Sequence, residues 1–213
     1  MAKPTVYGPT YSTYTRSVLL ALEEKGVPYE LVDVDMFGGA HETPEHLARH
    51  PFGKVPAFEH DGFALYETAA VMRYVDDAFD GPALQPAELR ERARMTQIIG
   101  IVDAYAYPAM ITRIVVPRLD ATLGGGAPDE AAIAAAEPAA MTALDALEAL
   151  IGDGALLAGS ALSLADLHLA PVYDYFRQTP EGARLLAGTP GLRRWWRAMA
   201  ARESIVKTMP NLG

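Results

Sequence analysis

The chain contains no cysteine among its 213 residues. This excludes a disulfide framework, a cysteine-ligated zinc site and a cysteine nucleophile. Any thiol chemistry must therefore come from a ligand. Long hydrophobic runs are also missing, because no stretch between charged residues reaches the roughly 18 residues of a membrane span. We therefore expect a globular protein that does not cross a membrane.

The beginning of the chain and its net charge argue against further classes of protein. The opening MAKPTVYGPTYSTYTR lacks the apolar core of about 7–15 residues that a secretory signal carries. We therefore expect a cytoplasmic protein. Lys and Arg number 18 against 27 Asp and Glu, a net charge of −9, which argues against a nucleic-acid or anionic-membrane surface. An anionic ligand would need specific local groups, because the general field repels it.

The composition changes near Gly81-Pro82, and we place a domain boundary there. Half of the chain is hydrophobic, which is enough to bury a large core. Before the boundary, β-branched and aromatic runs dominate, and after it the sequence is rich in Ala, Leu and Arg. We predict a first domain over 1–80, a linker over 81–85 and a second domain over 86–213.

The first domain is predicted to have the order β-α-β, loop, β-β-α. Two short β runs flank a helical pattern that ends at Lys25, and a helix between consecutive strands implies a parallel crossover. A second pair of β runs flanks Asp61-Gly62, the signal of an antiparallel hairpin. The predicted sheet is therefore mixed, with a polar loop over 37–50.

The second domain shows no convincing strand. Helical patterns predict segments near 87–120, 128–151, 163–178, 181–187 and 190–203. Pro108 and Pro117 are expected to kink or divide the first of these. Ser163 and Asp166 have the spacing of a capping box, which we assign to stability because the helix that follows is apolar almost all round. The fold class is thus α/β followed by all-α.

Val55-Pro56 opens the third predicted strand, an unusual place for proline. An X-Pro bond is cis in only about 5–6% of cases, so the dipeptide alone favours a trans edge proline. The order of elements around it favours a cis bond instead. That bond would leave the Val55 N–H and C=O open to an extended peptide alongside the sheet.

Together, these features identify a family. HPFGKVPAFEHDGFALYETAAVMRYV over residues 50–75, STYTRSVLLALEEKG near the start and SLADL in the helical half resemble a cytosolic glutathione S-transferase of bacterial type. The resemblance covers essentially the whole chain. It is greatest to the serine-type, phi-like class, whose pattern runs from Gly-x-x-x-Ser through Gly-x-His and Asn-Pro-Phe-Gly-Gln-Val-Pro to Glu-Ser. Here those motifs read Gly8 to Ser12, Gly39 to His41, His50 to Pro56 and Glu67-Thr68.

The resemblance implies a thioredoxin-like glutathione domain followed by a helical domain that supplies the electrophile site, in a homodimer. It implies no tightly bound cofactor, with glutathione as co-substrate and a hydrophobic electrophile as the other ligand. Ser12 would hydrogen-bond the glutathione sulfur. The remaining glutathione contacts would come from His41 and Lys54 at the glycyl carboxylate, Val55 and Pro56 at the cysteinyl part, and Glu67 and Thr68 at the γ-glutamyl end.

Three departures from the family pattern bear on these roles. Glu42 stands where the phi-like pattern has a lysine, so one cation is missing and Lys54, which replaces a glutamine, would have to compensate. Thr68 replaces serine but keeps the hydroxyl. Ala69 lacks the basic group that often follows. Physical chemistry supports the γ-glutamyl site independently, because Glu67-Thr68 begins a helix whose open N–H groups favour a carboxylate.

Several alternatives remain for the thiol-activating group. A free cysteine thiol has a pKa of about 8.5, and a hydroxyl that donates to sulfur favours the thiolate. Ser12 fits this role, although it also fits as an ordinary helix N-cap. Tyr11 and Tyr14 are rival hydroxyls, since other transferase classes use a tyrosine, whereas Tyr7 lies within a strand and is expected in the core.

The electrophile pocket is expected to be apolar. The candidate residues, several of which fit the core equally well, are Tyr11, Phe37, Tyr105, Tyr107 and Met110. No metal-ligand spacing is present, and a zinc site at His41, His46 and His50 is not expected. The predicted reaction is conjugation of glutathione to hydrophobic electrophiles, with peroxide reduction as a secondary activity. A non-catalytic binding protein of the same fold is the alternative, and cysteine-dependent isomerase or reductase chemistry is disfavoured.

Overall fold

The structure is a computed structural model of the chain, and it describes residues 2–210. The described residues form two compact units. The first contains the residues up to Gln85 together with those from Ala200 onward, and the second contains Pro86–Met199. The sequence placed the residues after 200 in the helical domain, whereas they belong to the first unit. Residues 1 and 211–213 of the predicted domains lie outside the described part.

The first unit contains a four-stranded mixed sheet, which confirms the predicted order of elements. Its strands are β1 (Thr5–Tyr7), β2 (Glu30–Val32), β3 (Ala57–His60) and β4 (Phe63–Tyr66), in the spatial order β2-β1-β3-β4. β1 pairs with β2 in parallel and with β3 antiparallel, and β3 and β4 form the hairpin. Asp61 and Gly62 both have positive φ, as an Asp-Gly hairpin turn requires.

Helices cover both faces of this sheet. α1 (Thr13–Lys25) and α3 (Thr68–Ala78) pack against each other, on the side where Val6 and Phe58 are fully buried. Tyr7 points to the opposite face because side chains alternate along a strand. There the Arg49 guanidinium lies 4.4 Å from the centre of the Tyr7 ring. Arg49 belongs to a short helix, so that helix covers the second face.

This short helix was not predicted. The polar segment taken as a loop contains a 3-10 turn (Ala40–Glu42) and α2 (Pro44–Arg49). The local signal is nevertheless present, because the Thr43 hydroxyl accepts from the His46 N–H at 3.3 Å and Pro44 occupies the first helical position. Six residues are too few for a helical hydrophobic period to be apparent.

The second unit is helical, as predicted. A continuous helix runs over α4 (Leu89–Ile101), a π-wound segment (Val102–Val115) and α5 (Val116–Thr122). It packs against α6 (Glu130–Ile151) and α7 (Leu164–Phe176). α8 (Pro180–Leu185), a 3-10 turn (Leu186–Gly188) and α9 (Pro190–Ala200) follow. α9 ends earlier than predicted.

The two prolines of the long helix change its winding rather than dividing it. Pro108 lies inside the π-wound segment, and Pro117 lies in the first turn of α5. The continuous helix Leu89–Thr122 is long and apolar enough to cross a membrane by length and composition alone, and half of its apolar window is buried inside the protein. Its packing against α6 and α7 accounts for the apolar sequence, as in the core helix of a helical domain.

Hydrogen bonds attach the end of the predicted linker to the first unit. The buried carboxylate of Asp76, on α3, accepts from the backbone N–H of Leu84 at 2.9 Å and of Gln85 at 3.0 Å. Lys25, at the end of α1, donates to the same carboxylate at 3.0 Å. Pairing with Lys25 offsets the cost of burying this charge. Residues 84 and 85 are therefore held in place by the first unit.

A last helix, α10 (Glu203–Lys207), packs against α1 in the first unit. Arg202 makes a two-pronged contact with Glu24 at 2.7 and 2.6 Å, and the Ser204 hydroxyl donates to the same carboxylate. Burial opposes ionisation of Glu24, but the hydrogen bonds from Arg202 and Ser204 outweigh it and lower the pKa of this carboxyl. From α1, the buried Arg16 donates to the Ile205 carbonyl at 3.2 Å.

The predicted capping box is present at the start of α7. The Ser163 N–H and hydroxyl both donate to Asp166, at 2.8 and 2.7 Å. The other carboxylate oxygen of Asp166 accepts from the Leu157 N–H and the Trp195 indole N–H, each at 2.9 Å. Asp166 is completely buried. This carboxylate therefore joins the start of α7 to the preceding loop and to α9.

Candidate active site

The register of the sheet brings three of the predicted site segments to one edge. Tyr7 pairs with Ala57, and Ala57 pairs with Tyr66. The end of β1, the start of β3 and the end of β4 therefore lie side by side. The segments that continue from these three points carry Ser12, Val55-Pro56 and Glu67-Thr68. Residues far apart in the chain thus converge within the first unit.

Ser12 is the N-cap of α1. Its hydroxyl oxygen accepts from the Thr15 N–H at 3.3 Å, a bond that leaves the O–H itself available as a donor. The approach of β1 to α1 is close, because a Cβ on Gly8 would lie 2.3 Å from the Thr15 hydroxyl oxygen. Glycine at this position therefore permits the tight packing that sets the start of α1. The N-cap alternative is realised, and it is compatible with donation to a ligand.

The three tyrosines near Ser12 have different surroundings. The Tyr7 hydroxyl donates to Glu59 at 3.0 Å, so Tyr7 belongs to the sheet surface under α2. Tyr11 is half-buried; burial and the nearby Asp33 and Asp35 raise its pKa, against the effect of the Met36 backbone. The phenol of Tyr11 therefore stays protonated at neutral pH. Tyr14 lies in the first turn of α1 and is half-buried.

The segment before β3 holds the next group of predicted residues. The Val55-Pro56 bond is cis, the alternative that the order of elements favoured. Lys54 is exposed. Gly53 has φ of 58°, and a Cβ there would lie 3.3 Å from the His41 carbonyl oxygen, so His41 and this segment are neighbours. The His41 Nδ1 is buried and has no hydrogen-bond partner among residues 2–210.

Glu67 and Thr68 form the turn into α3. Glu67 has φ of 70°, a conformation that costs energy for a residue with a side chain. It is exposed, whereas Thr68 is buried with 8% of its surface accessible. No side chain among the described residues caps this helix start. Its first N–H groups and the positive end of the helix dipole therefore favour a nearby carboxylate.

Two histidines that the sequence reasoning set aside support these segments. His46, on α2, is buried, and its Nε2 lies 2.8 Å from the Lys54 carbonyl oxygen. His50 is also buried, and its ring centre lies 4.9 Å from that of Tyr66, the residue before Glu67. Burial lowers the pKa of His50, with Glu67 acting in the opposite direction. His50 thus connects the segment before β3 to the end of β4.

The predicted electrophile residues differ in how far they are exposed. In the first unit, the rings of Tyr11 and Phe37 are 5.3 Å apart, and Phe37 is 72% exposed. In the second unit, Tyr105 is exposed and Tyr107 is half-buried, with its pKa raised by burial. Met110 is only 1% exposed. Met110 is therefore a core residue, and its predicted place in an open pocket is not realised.

A cavity of about 500 Å³ lies between the long helix and α6 in the second unit. Its walls are mostly small residues of the two helices, and Tyr105 is its aromatic wall. Tyr107 and Met110 do not line this cavity. Nearby in the same unit, the buried His168 pairs with Asp103 at 2.7 Å.

The described residues contain no group of three or more His, Asp or Glu side chains placed to hold a metal ion. His46 and His50, two of the histidines considered for zinc, are stacked with ring centres 6.4 Å apart. Stacked rings direct their nitrogens along separate lines, whereas metal ligands must converge on one point. These residues therefore serve packing and hydrogen bonding.

Comparison with known proteins decides the family. Residues 2–77 match the N-terminal domain of glutathione S-transferase, and residues 71–203 match its C-terminal domain. The chain belongs to the glutathione S-transferase family. One similar relative is a probable glutathione S-transferase of rice, Oryza sativa subsp. japonica. It is 34% identical over 211 residues that cover 97% of this chain and 95% of the relative.

Solved structures of other transferases have the same fold. Glutathione transferase F7 from Populus trichocarpa superposes with a TM-score of 0.87 at 34% identity, covering 96% of this chain and 97% of that one. Maize glutathione S-transferase I, solved with an atrazine glutathione conjugate, gives a TM-score of 0.83 at 31% identity, covering 97% and 96%. The mixed sheet of our transferase is thus the thioredoxin-like domain of this family, followed by its helical domain.

The transferase is an enzyme that uses glutathione as its co-substrate. The homologues are plant phi-class proteins, which agrees with the phi-like resemblance of the motifs. They do not support the bacterial type that the sequence suggested.

Proposed function

We propose that this enzyme belongs to the serine-type, phi-like transferases and that Ser12 stabilises the thiolate it transfers to hydrophobic electrophiles. The observation that carries the proposal is the position of Ser12. Its hydroxyl stands at the start of α1, on the sheet edge shared with Val55-Pro56 and Glu67-Thr68. An O–H donor and the positive end of a helix dipole both favour a sulfur anion over the thiol.

Glutathione would lie extended along this edge. Its γ-glutamyl carboxylate would bind the open start of α3, with the Thr68 hydroxyl as a further donor and Glu67 facing the amino group. Its cysteinyl part would pair with the Val55 backbone beside Pro56. Its glycyl carboxylate would face Lys54 and His41. The exposed Lys54 supports this last placement, and Glu42 weakens the local positive field.

A capture experiment and an activity assay test the proposal together. We expect the protein to bind a glutathione-affinity column, to elute with free glutathione, and to conjugate a generic aryl halide to glutathione. Capture without turnover would support the alternative, a binding protein of the same fold. Reduction of an organic hydroperoxide, assayed in parallel, tests the predicted secondary activity of the same thiolate.

The Thr68→Val variant tests the γ-glutamyl site. We expect its dissociation constant for glutathione to rise about tenfold or more, because the change removes a hydrogen bond to a charged group while keeping the side-chain shape. Isothermal titration calorimetry measures the affinity, and a thermal melt checks the fold. Thr96→Val, on the exposed surface of α4, is the matched control. Unchanged affinity in Thr68→Val would contradict this site.

For the electrophile we propose an aromatic surface that begins with Tyr11 and Phe37. Their rings touch, and Tyr11 directly precedes Ser12. An aromatic or other apolar electrophile would pack on these rings next to the sulfur. In the second unit, Tyr105 and Tyr107 stay candidates for electrophile contacts on the family resemblance alone.

We also propose that the enzyme is a homodimer. Two apolar features support it: Phe52, which is 68% exposed, and the cavity in the second unit. An exposed aromatic side chain and an apolar cavity are both typical of surfaces that a partner covers. In a two-fold dimer, each copy would present the same surfaces to the other. The absence of a tightly bound cofactor and a cytoplasmic location likewise remain predictions from the sequence.

The Phe52→Glu variant tests the dimer. We expect it to sediment as a monomer at a concentration where the wild type is a dimer, because burying an unpaired carboxylate in an interface is costly. Leu123→Glu, at a position that is 64% exposed in the second unit, is the matched control and should remain dimeric. A Phe52→Glu protein that remains dimeric would exclude Phe52 from the interface.

A further inference from the structure

We propose that His46 is a positioning residue for glutathione: it holds the Lys54–Val55 peptide so that the Val55 N–H faces the cysteinyl part of the ligand. The inference rests on the proposed function, which assigns that backbone group to glutathione. His46 itself would not contact the ligand. It would act through the peptide unit that it holds.

The contact between His46 and the peptide is buried and directional. His46 is only 4% exposed, and its Nε2 lies 2.8 Å from the Lys54 carbonyl oxygen. A carbonyl oxygen only accepts hydrogen bonds, so the imidazole Nε2–H must be the donor. The His46 ring must therefore be either the neutral tautomer that carries its proton on Nε2 or the imidazolium, which carries a proton on both nitrogens. The bond therefore persists whether or not the ring carries a second proton.

Planarity of the peptide unit transmits this contact to Val55. The Lys54 C=O and the Val55 N–H belong to one planar group, and in a trans peptide they point in opposite directions. Fixing the carbonyl toward His46 therefore fixes the N–H away from it. Lys54 and Val55 precede the first paired residue of β3, Ala57. The ladder of the sheet thus does not orient this peptide, and a side chain must do so.

His46 is in turn held in place from two sides. The Thr43 hydroxyl accepts from the His46 backbone N–H at 3.3 Å and so anchors the start of α2. The His50 ring stacks on the His46 ring at an angle of 11°. Tyr66 then packs against His50. The donor nitrogen is therefore fixed by packing on the side away from the proposed ligand, as a positioning group requires.

Steady-state kinetics of His46→Leu and His46→Gln test the inference. For His46→Leu we expect the KM for glutathione to rise roughly five- to tenfold, the size of one neutral hydrogen bond, with kcat at saturating glutathione within about twofold of the wild type. His46→Gln should restore the KM, because its amide nitrogen can take the place of the ring Nε2–H. A histidine that only stabilised the fold would not raise the KM for glutathione while leaving kcat unchanged, and glutamine in its place would not restore the KM.

His60→Leu is the matched control. His60 is equally buried in the same unit, at 5% exposure, but it bonds to the Tyr74 hydroxyl at 2.9 Å. If the KM for glutathione stays at the wild-type value in His46→Leu, or rises equally in His60→Leu, the inference is wrong. Should His46→Leu fail to fold, His46→Asn replaces it: its shorter amide cannot reach Lys54, so a KM equal to that of His46→Gln would contradict the inference.

Thr68→Val separates this result from the proposed function. Unchanged glutathione affinity in that variant would overturn the proposed γ-glutamyl site, whatever His46 does. A loss of affinity in Thr68→Val with an unchanged KM in His46→Leu would overturn only the positioning role. Both losses together, with rescue by His46→Gln, support the two assignments.

Discussion

Replacing Ser12 with alanine is expected to lower turnover at pH 7 by roughly twenty- to thirtyfold, far more than it weakens glutathione binding. The expected loss comes from weaker ionisation of the bound thiol. If the hydroxyl lowers the bound thiol pKa from about 8.5 by about two units, about three quarters is thiolate at pH 7, against about 3% without the shift. At pH 9 both forms are largely ionised, so most of the deficit should disappear.

The pH profile of kcat, together with ultraviolet titration of the bound thiolate, measures this effect. Ser12→Thr keeps a hydroxyl and should retain most of the activity, whereas Ser12→Ala also loses the N-cap of α1, worth about 1 kcal/mol of stability. A thermal melt accounts for that loss. Tyr11→Phe and Tyr14→Phe test the rival hydroxyls. If either cripples turnover while Ser12→Ala does not, a tyrosine activates the thiol.

Replacing Asp166 with alanine is expected to destabilise the protein by about 3 kcal/mol or more. The change orphans four buried donors, the N–H groups of Leu157 and Ser163, the Ser163 hydroxyl and the indole N–H of Trp195, at about 1–3 kcal/mol for each buried group left unpaired. Burial raises the pKa of Asp166, and the four donor groups oppose that rise. Ser163→Ala removes only one donor to the carboxylate and should cost about 1–2 kcal/mol.

Calorimetric melts measure both losses. For a chain of this size, each kcal/mol corresponds to about 2–4 °C, so Asp166→Ala should melt roughly 6–12 °C lower. Asp166→Asn keeps one acceptor oxygen, so its melting temperature should lie between those of Asp166→Ala and Ser163→Ala. The KM for glutathione should stay near normal in the folded fraction. An unchanged melting temperature with lost catalysis would move Asp166 from the scaffold to the active site.

The sequence predicted the first unit well because its signals are local. The Asp61-Gly62 turn, the short β runs and the helical pattern ending at Lys25 each depend on neighbouring residues alone. Their order was enough to predict a mixed sheet. The cis bond at Val55-Pro56 followed from that order and not from the dipeptide, which by itself favoured trans.

The features that were missed depend on distant contacts or on short segments. Six residues of α2 show no helical period, so the part played by His46 was not apparent before its distance to Lys54 was known. Met110 is apolar, as a residue of an electrophile pocket would be, but it lies in the core. The direction of its side chain depends on helix packing, which the sequence alone does not show. The π winding of the segment around Pro108 was likewise missed.

The return of α10 to α1 has a consequence for the order in which the protein is made. Arg202 and Ser204, which hold Glu24, are synthesised after all of Pro86–Met199. At about 5–20 residues per second, a ribosome needs roughly 6–23 s to translate from Gln85 to Arg202. Throughout that interval the sheet and its helices exist without their last helix. The glutathione unit, which begins first on the ribosome, is therefore completed last.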